Sequence, residues 1–207
     1  MSRLVAFGCS MTYGHGLADC HIPPDNPGPV HSKLSWPAIV ATLLGIEYVN
    51  NGICGASNKQ ILMEILKFPL REDDIVVVQW TYTHRSMIYE QNEGFQQVLP
   101  PSKQYMTKEL QLFLESFYKI HTNYDLLISS HLDIHHANLY VTINNDIFNF
   151  HTDSTLDIVS PSFKIKSNGV NLYSLGEDIA LDDVHPGPKC QQVLAKYIAS
   201  SIKQYIK

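Results

Sequence analysis

The sequence predicts an α/β protein: a three-layer α/β/α sandwich on a flavodoxin-like parallel sheet, in a single domain spanning residues 1–207. Three observations carry that expectation. Strand-like and helix-like segments alternate along the chain, the pattern of a parallel sheet covered on both faces. Asp74-Ile75-Val76-Val77-Val78-Gln79-Trp80 is a continuous β-branched run, as a strand buried on both faces requires. Between the strands lie helical patterns with their own start and stop residues.

Taken in order, Leu4 to Phe7 forms the first strand. His15 to Lys33 holds Pro23, Pro24, Pro27, Pro29, Gly16 and Gly28, too many breakers for a helix, and reads as a long surface loop. Ser35 then caps a helix with Pro37 in its first turn, apolar Trp36, Ile39, Val40, Leu43 and Leu44, and Gly45 as its stop. Glu47-Tyr48-Val49 gives a second strand ending at Asn50-Asn51-Gly52. Ser57 opens a helix through Ile61, Leu62, Ile65 and Leu66 that closes before Pro69. After the central strand, residues 107–136 read as two helices broken near Thr122-Asn123, and Leu139 to Ile143 as the next strand. The signal weakens from Asn144 to Ile179. A last amphipathic helix runs from about Pro188 to Ile206 through Val193, Leu194, Tyr197, Ile198 and Ile202.

Composition narrows the function. A chain of 207 residues with 44% hydrophobic and 17% charged residues can build one sizeable core. A net charge of -5 leaves no footprint for nucleic acid. No apolar run is long enough to span a bilayer, so no membrane partner is expected. Arg3 to Phe7 reads as a strand of the fold rather than a signal peptide, which points to a cytoplasmic protein. The four cysteines, Cys9, Cys20, Cys54 and Cys190, form no Cys-x-x-Cys pair and read as reduced thiols. The oligomeric state is open.

The chemistry is concentrated at two distant segments, Gly8-Cys9-Ser10-Met11-Thr12-Tyr13-Gly14 and Asp182-Asp183-Val184-His185-Pro186. A serine is a poor nucleophile until an imidazole takes its proton, and the imidazole needs a carboxylate to fix its tautomer. Ser10, His185 and Asp182 supply those parts, with Asp183 the competing carboxylate. Thr12 stands where a Gly-x-Ser-x-Gly elbow would need glycine, so this is not the α/β-hydrolase motif.

The two segments resemble blocks of the SGNH (GDSL-type) hydrolase superfamily, Gly-Asp-Ser-x-Thr-x-Gly and Asp-x-x-His-Pro, and the chain looks like a divergent, phage-like member. Asn50 to Ser57 resembles that family's second block, Asn-x-Gly-x-x-Gly-x-Ser/Thr, which implies Gly55 as a backbone oxyanion donor. The third block departs: Gln79-Trp80-Thr81-Tyr82-Thr83-His84-Arg85 replaces the expected Gly-x-Asn-Asp. Counting from the strand, Thr83 takes the asparagine position, with Thr81 and Arg85 as alternatives. Cys9 replaces an aspartate that is not the triad acid, and the resemblance places Cys9 and Cys54 near the site.

These residues imply a serine esterase or acyl hydrolase with no cofactor and no metal. The resemblance implies a small-molecule or carbohydrate ester as substrate, an O-acetylated carbohydrate first, with lipid esters and thioesters as alternatives. A binding or structural protein on the same scaffold is the main rival. A phosphate-ester enzyme would want metal ligands or a basic clamp that the sequence does not offer. His131-x-x-x-His135-His136 lacks the following glutamate of a zincin and reads as a solvated helix face. Activity should rise through a single histidine titration near roughly 6.5, moved upward if Asp182 is ionised beside His185.

Overall fold

The computed structural model describes residues 2–82, 85–90, 94–98, 132, 136, 146–151 and 178–206. In chain order the elements are β1 (Arg3–Gly8), α1 (Ser10–Tyr13), β2 (His21–Ile22), β3 (Asn26–Pro27), α2 (Trp36–Leu44) and β4 (Glu47–Gly52). Next come α3 (Asn58–Lys67), β5 (Asp74–Trp80), β6 (Ser86–Glu90), β7 (Gly94–Val98), β8 (Asp146–His151) and α4 (Pro188–Ile202), which tightens into a last 3-10 turn at Lys203–Tyr205. Residues 107–131 and 139–143, which carry most of the expected middle helices and one expected strand, lie outside the described residues.

Four strands form one parallel sheet in the order β4-β1-β5-β8. The chain leaves β1 for the neighbour on one side, then crosses back past β1 to β5 on the other. With right-handed crossovers, that reversal puts α2 and α3 on opposite faces. Ring contacts agree: Phe7 meets Phe68 at the end of α3, with centroids 5.6 Å apart. Phe150 meets Trp36 of α2 at 5.6 Å, on the face where α2 and α4 pack together. The result is the expected α/β architecture with a doubly wound parallel sheet. Its winding direction reverses between β1 and β5, which places a crevice outside their carboxyl ends.

The core fills the sheet from both sides. Every residue of β5 is buried, and Leu4, Val5, Ala6 and Phe7 are fully enclosed. At the far end from the crevice, Arg3 forks onto Asp74 with Nε–Oδ1 and Nη2–Oδ2 distances of 2.8 and 2.6 Å, locking β1 to β5 in register. Bidentate pairing gives this contact directional strength beyond its charge.

Local rules account for most boundaries. Pro37 sits in the first turn of α2, and Gly45 closes the helix in the left-handed region at φ 67°. Ser57 accepts from Gln60 N at 3.3 Å and caps α3. Ser35 does not cap α2 with its side chain; its hydroxyl donates instead to Ser32 O at 2.6 Å. The loop over 15–33 is non-helical, as its prolines require, and holds the small β2–β3 hairpin.

Two differences from the sequence expectation have clear causes. The fourth sheet strand lies at Asp146–His151, where the sequence signal is weak. Its middle residue, Asn149, is fully buried and accepts from Trp80 Nε1 at 3.0 Å, so a polar residue sits inside a strand enclosed on both faces. On α4, Val193 and Tyr197 are exposed. The buried stripe is Cys190, Gln191, Leu194, Ala195, Ile198, Ala199 and Ile202, so α4 turns its small alanines inward rather than Val193 and Tyr197.

Candidate active site

The site is assembled at the carboxyl ends of β1 and β5, from three turns. The first is α1, a single helical turn directly after β1. Tyr13 N bonds Cys9 O at 3.0 Å, and Gly14, at φ 87°, ends the turn by bonding Ser10 O at 2.9 Å. This turn packs tightly on β5. Thr12 Oγ1 donates to Gln79 Oε1 at 2.7 Å, and a Cβ at Gly8 would come within 2.1 Å of that hydroxyl. Glycine at position 8 is therefore what allows Thr12 to anchor the serine turn.

The second turn carries Asp182 and His185. Asp182 Oδ1 accepts from Val184 N at 3.1 Å and His185 N at 3.0 Å, while Oδ2 faces His185 Nδ1 at 2.5 Å. Asp183 takes φ 56°, the left-handed position that bends the turn back, and its side chain is exposed. On the far side of the ring, His185 Nε2 lies 2.8 Å from Ser10 Oγ. Two residues 175 apart in sequence thus share one hydrogen bond. With Nδ1–H directed at the carboxylate, Nε2 is left as the acceptor for the serine hydroxyl.

Several contacts hold this turn against the first. Leu181 N donates to Gly16 O at 2.9 Å. Gly16 sits at φ 82°, and a Cβ there would lie 2.6 Å from the Asp182 carboxylate. The Asp178 carboxylate accepts from Lys189 N and Cys190 N at 2.8 and 3.0 Å, capping α4 from outside the helix. Gln191 Oε1 accepts from Trp36 N at 2.9 Å, and its amide reaches Met11 O at 3.4 Å, joining α4, α2 and α1.

The electrostatics favour an ionised acid and a neutral base. Burial alone would push Asp182 up, but the bonds from the His185 N–H, the imidazole and the Val184 N–H outweigh it and hold Asp182 below the usual carboxylate range. For His185 burial is the largest influence and pushes it down; Asp182 works against this, and the charges of His15 and Arg85 add to the depression. This corrects the upward shift expected from Asp182 alone, because the ring is buried deeply enough for desolvation to win.

The third turn comes directly after β5. Asn58 clamps Thr81 on both backbone groups: Thr81 N donates to Asn58 Oδ1 at 2.8 Å, and Asn58 Nδ2 donates to Thr81 O at 3.2 Å. Thr81 is fully buried, and its Oγ1 has no partner among the described residues. β1 and β5 pair with Phe7 opposite Val78, so the residues just beyond them, Ser10 and Thr81, come to the same end of the sheet. Arg85 is half-buried, with its guanidinium 5.2 Å over the Tyr82 ring. Thr83 lies outside the described residues. Gly55 takes φ 77° in the turn before α3. Neither its N–H nor that of Ser10 donates to a protein acceptor among the described residues.

Two cysteines that the resemblance brought to the site are not poised for chemistry. Cys9 is fully enclosed in the hydrophobic core. Burial, with smaller effects of nearby charges, pushes the Cys54 thiol up to about 12. Sequence reasoning missed His15, whose ring centroid lies 4.7 Å from that of His185 and whose Nε2 is 3.0 Å from Asp25 O. Only its nearness to Ser10 in sequence could have suggested it. His15, Asp182 and His185 also bring potential metal-ligand atoms within 4.8 Å of one another, although both nitrogens of His185 already bond Asp182 and Ser10.

The parallel sheet in this order, with Ser10 after β1 and the Asp182–His185 turn before the last helix, gives the chain a fold it shares with a solved esterase. Among solved structures it is similar to an acetyl xylan esterase from the rumen bacterium Butyrivibrio proteoclasticus. That match has 14% identity and a TM-score of 0.50, and covers 100% of this chain and 65% of the esterase. It is also similar to a lipase/acylhydrolase from Enterococcus faecalis, at 13% identity and a TM-score of 0.44 over 100% of this chain and 98% of the other. A member of the lipolytic protein G-D-S-L family from Veillonella parvula DSM 2008 matches at 13% identity and a TM-score of 0.38, over 97% of each chain. Neither a family model nor a curated protein matches the sequence. Among the described residues, no helix is long and apolar enough to cross a membrane.

Proposed function

We propose that this chain is a serine ester hydrolase. The reading rests on one observation: the unbroken hydrogen-bonded path from Asp182 through His185 to Ser10, with links of 2.5 and 2.8 Å. In this reading Ser10 Oγ attacks the ester carbonyl while His185 Nε2 takes its proton. His185 then returns the proton to the departing alkoxide, leaving an acyl group on Ser10. Water enters, gives a proton to His185 and displaces the acyl group as a carboxylic acid, and Ser10 recovers its proton. Asp182 stays ionised throughout and holds the Nδ1–H tautomer.

The developing oxyanion needs donors fixed before it forms. The Ser10 and Gly55 N–H groups, unengaged among the described residues, are two. Thr81 Oγ1, buried and unpartnered at the same end of the sheet as the serine turn, is the third in this reading. It is favoured because Asn58 holds its backbone on both sides. The substrate class is a small acyl ester, and the likeness in fold to an acetyl xylan esterase makes an O-acetylated carbohydrate the first to try.

The test is hydrolysis of p-nitrophenyl acetate together with fluorophosphonate labelling. The wild type should turn over and label at Ser10, and Ser10→Ala should lose both by several powers of ten. A chain that neither hydrolyses nor labels would be a binding protein on this scaffold.

A further inference from the structure

Arg85 stands apart from the other described cations whose pairing is visible. Arg3 forks onto Asp74, and Lys67 reaches Glu64. The Arg85 guanidinium rests on the face of Tyr82, and its Nη1 is buried with no hydrogen-bond partner among the described residues. Its backbone N–H is tied to Tyr82 O at 3.2 Å, which fixes the base of the side chain close behind β5. Arg85 follows Thr81 and Tyr82 at the carboxyl end of β5, the end of the sheet to which the β1–β5 register also brings Ser10.

A buried donor of a charged group without an acceptor is costly, and an acceptor carried by a bound ligand would remove that cost. The planar fork of a guanidinium matches a carboxylate in two parallel bonds. The carbonyl of a neutral acetate has no such group to offer. We infer that Arg85 anchors a carboxylate carried by the substrate, so that the preferred ester is acidic. This inference rests on the hydrolase reading and gives its substrate a charge. The carboxylate can sit on the acyl side, as in a half-ester of a dicarboxylic acid, or on the alcohol side, as in an O-acetylated uronic acid.

Two substrate pairs separate these sources: p-nitrophenyl hemiglutarate against p-nitrophenyl acetate, and O-acetyl galacturonate against O-acetyl galactose. The acidic member of one pair should be preferred in kcat/KM by roughly 10- to 100-fold, the scale of a charged bidentate contact. Arg85→Gln should raise KM for that member and bring the preference to within about threefold, and Arg85→Lys should restore part of it. Equal turnover within both pairs would overturn the inference while leaving the hydrolase reading intact. So would an Arg85→Gln variant that loses kcat alike on every ester, since Arg85 would then serve the oxyanion. If the wild type hydrolyses none of the four, the hydrolase reading fails, and calorimetric binding of glutarate and galacturonate decides the matter. Binding of either that is lost in Arg85→Gln supports the anchor. Binding unchanged by the substitution, or weaker than that of inorganic phosphate, overturns it.

Discussion

Replacing Asp182 by asparagine changes one atom, and the structure fixes the consequence. Asp182 Oδ1 accepts two backbone N–H bonds, from Val184 and His185, and Oδ2 faces His185 Nδ1 at 2.5 Å. In Asp182→Asn the amide oxygen will keep the two backbone donors, because the opposite orientation leaves both unsatisfied at about 1–3 kcal/mol each. The amide NH2 then points at Nδ1, which must become an acceptor. The proton moves to Nε2, and His185 can no longer accept from Ser10. The fold should survive, since the backbone bonds of the turn remain. The tautomer is lost, and such a change in a Ser-His-Asp triad costs on the order of 10⁴ in kcat, about 5 kcal/mol of transition-state stabilisation.

The assay is kcat on p-nitrophenyl acetate, paired with a thermal melt of the same preparation. Asp183→Asn is the control. Asp183 is exposed, and asparagine tolerates its left-handed backbone, so this variant should keep wild-type activity. The reasoning is refuted if Asp182→Asn stays within about tenfold of the wild type, or if Asp183→Asn is equally damaged. A large fall in melting temperature for Asp182→Asn would mean that the turn, not the tautomer, had been broken.

Two other predictions rest on the same geometry. The rate should rise with pH as His185 loses its proton, with a midpoint below the unperturbed value of roughly 6.5, because burial and the charges of His15 and Arg85 depress it. Removing the upward pull in Asp182→Asn should move the midpoint lower still, and His15→Gln should move it up; a wild-type midpoint above 6.5 would contradict the burial argument. In Gly16→Ala, a Cβ placed 2.6 Å from the Asp182 carboxylate must push it aside. Misplacement on this scale should lower kcat roughly 100-fold with KM little changed, and full activity would show that the loop yields instead.

The sequence makes plain those parts of the fold that rest on local chemistry. The β-branched run of β5, the Pro37 and Gly45 boundaries of α2 and the Ser57 cap of α3 each depend on neighbours a few residues away. The pairing of Ser10 with His185 is also legible, but through resemblance: nothing local to either residue announces a partner 175 positions distant. What stays hidden depends on partners supplied by the tertiary structure. Asn149 looks unfit for a buried strand until Trp80 Nε1 is seen to satisfy it. Gln79 and Gln191 read as ordinary polar residues, yet both are buried, one bonding Thr12 and Trp36, the other Trp36 N and Met11 O. Val193 and Tyr197 fit a helical stripe by type, yet they are exposed and the face that carries Ala195 and Ala199 is the inward one.

Those buried amides explain how a turn near the end of the chain reaches a serine near its start with hydrogen-bond precision. Apolar packing of α4 on α2 brings the two regions together, but hydrophobic contact is non-directional and tolerates sliding. Gln191 is directional: it holds the α2 N-terminus and α1 from the first turn of α4, shortly after His185. Gln79 does the same from β5, fixing Thr12 close behind Ser10. Each would be costly to leave unpaired in an enclosed site, so a shift that broke the Ser10–His185 contact would also break these bonds. The buried polar residues thus convert a loosely specified helix packing into a single arrangement. That arrangement places the imidazole 2.8 Å from the serine hydroxyl before any substrate arrives.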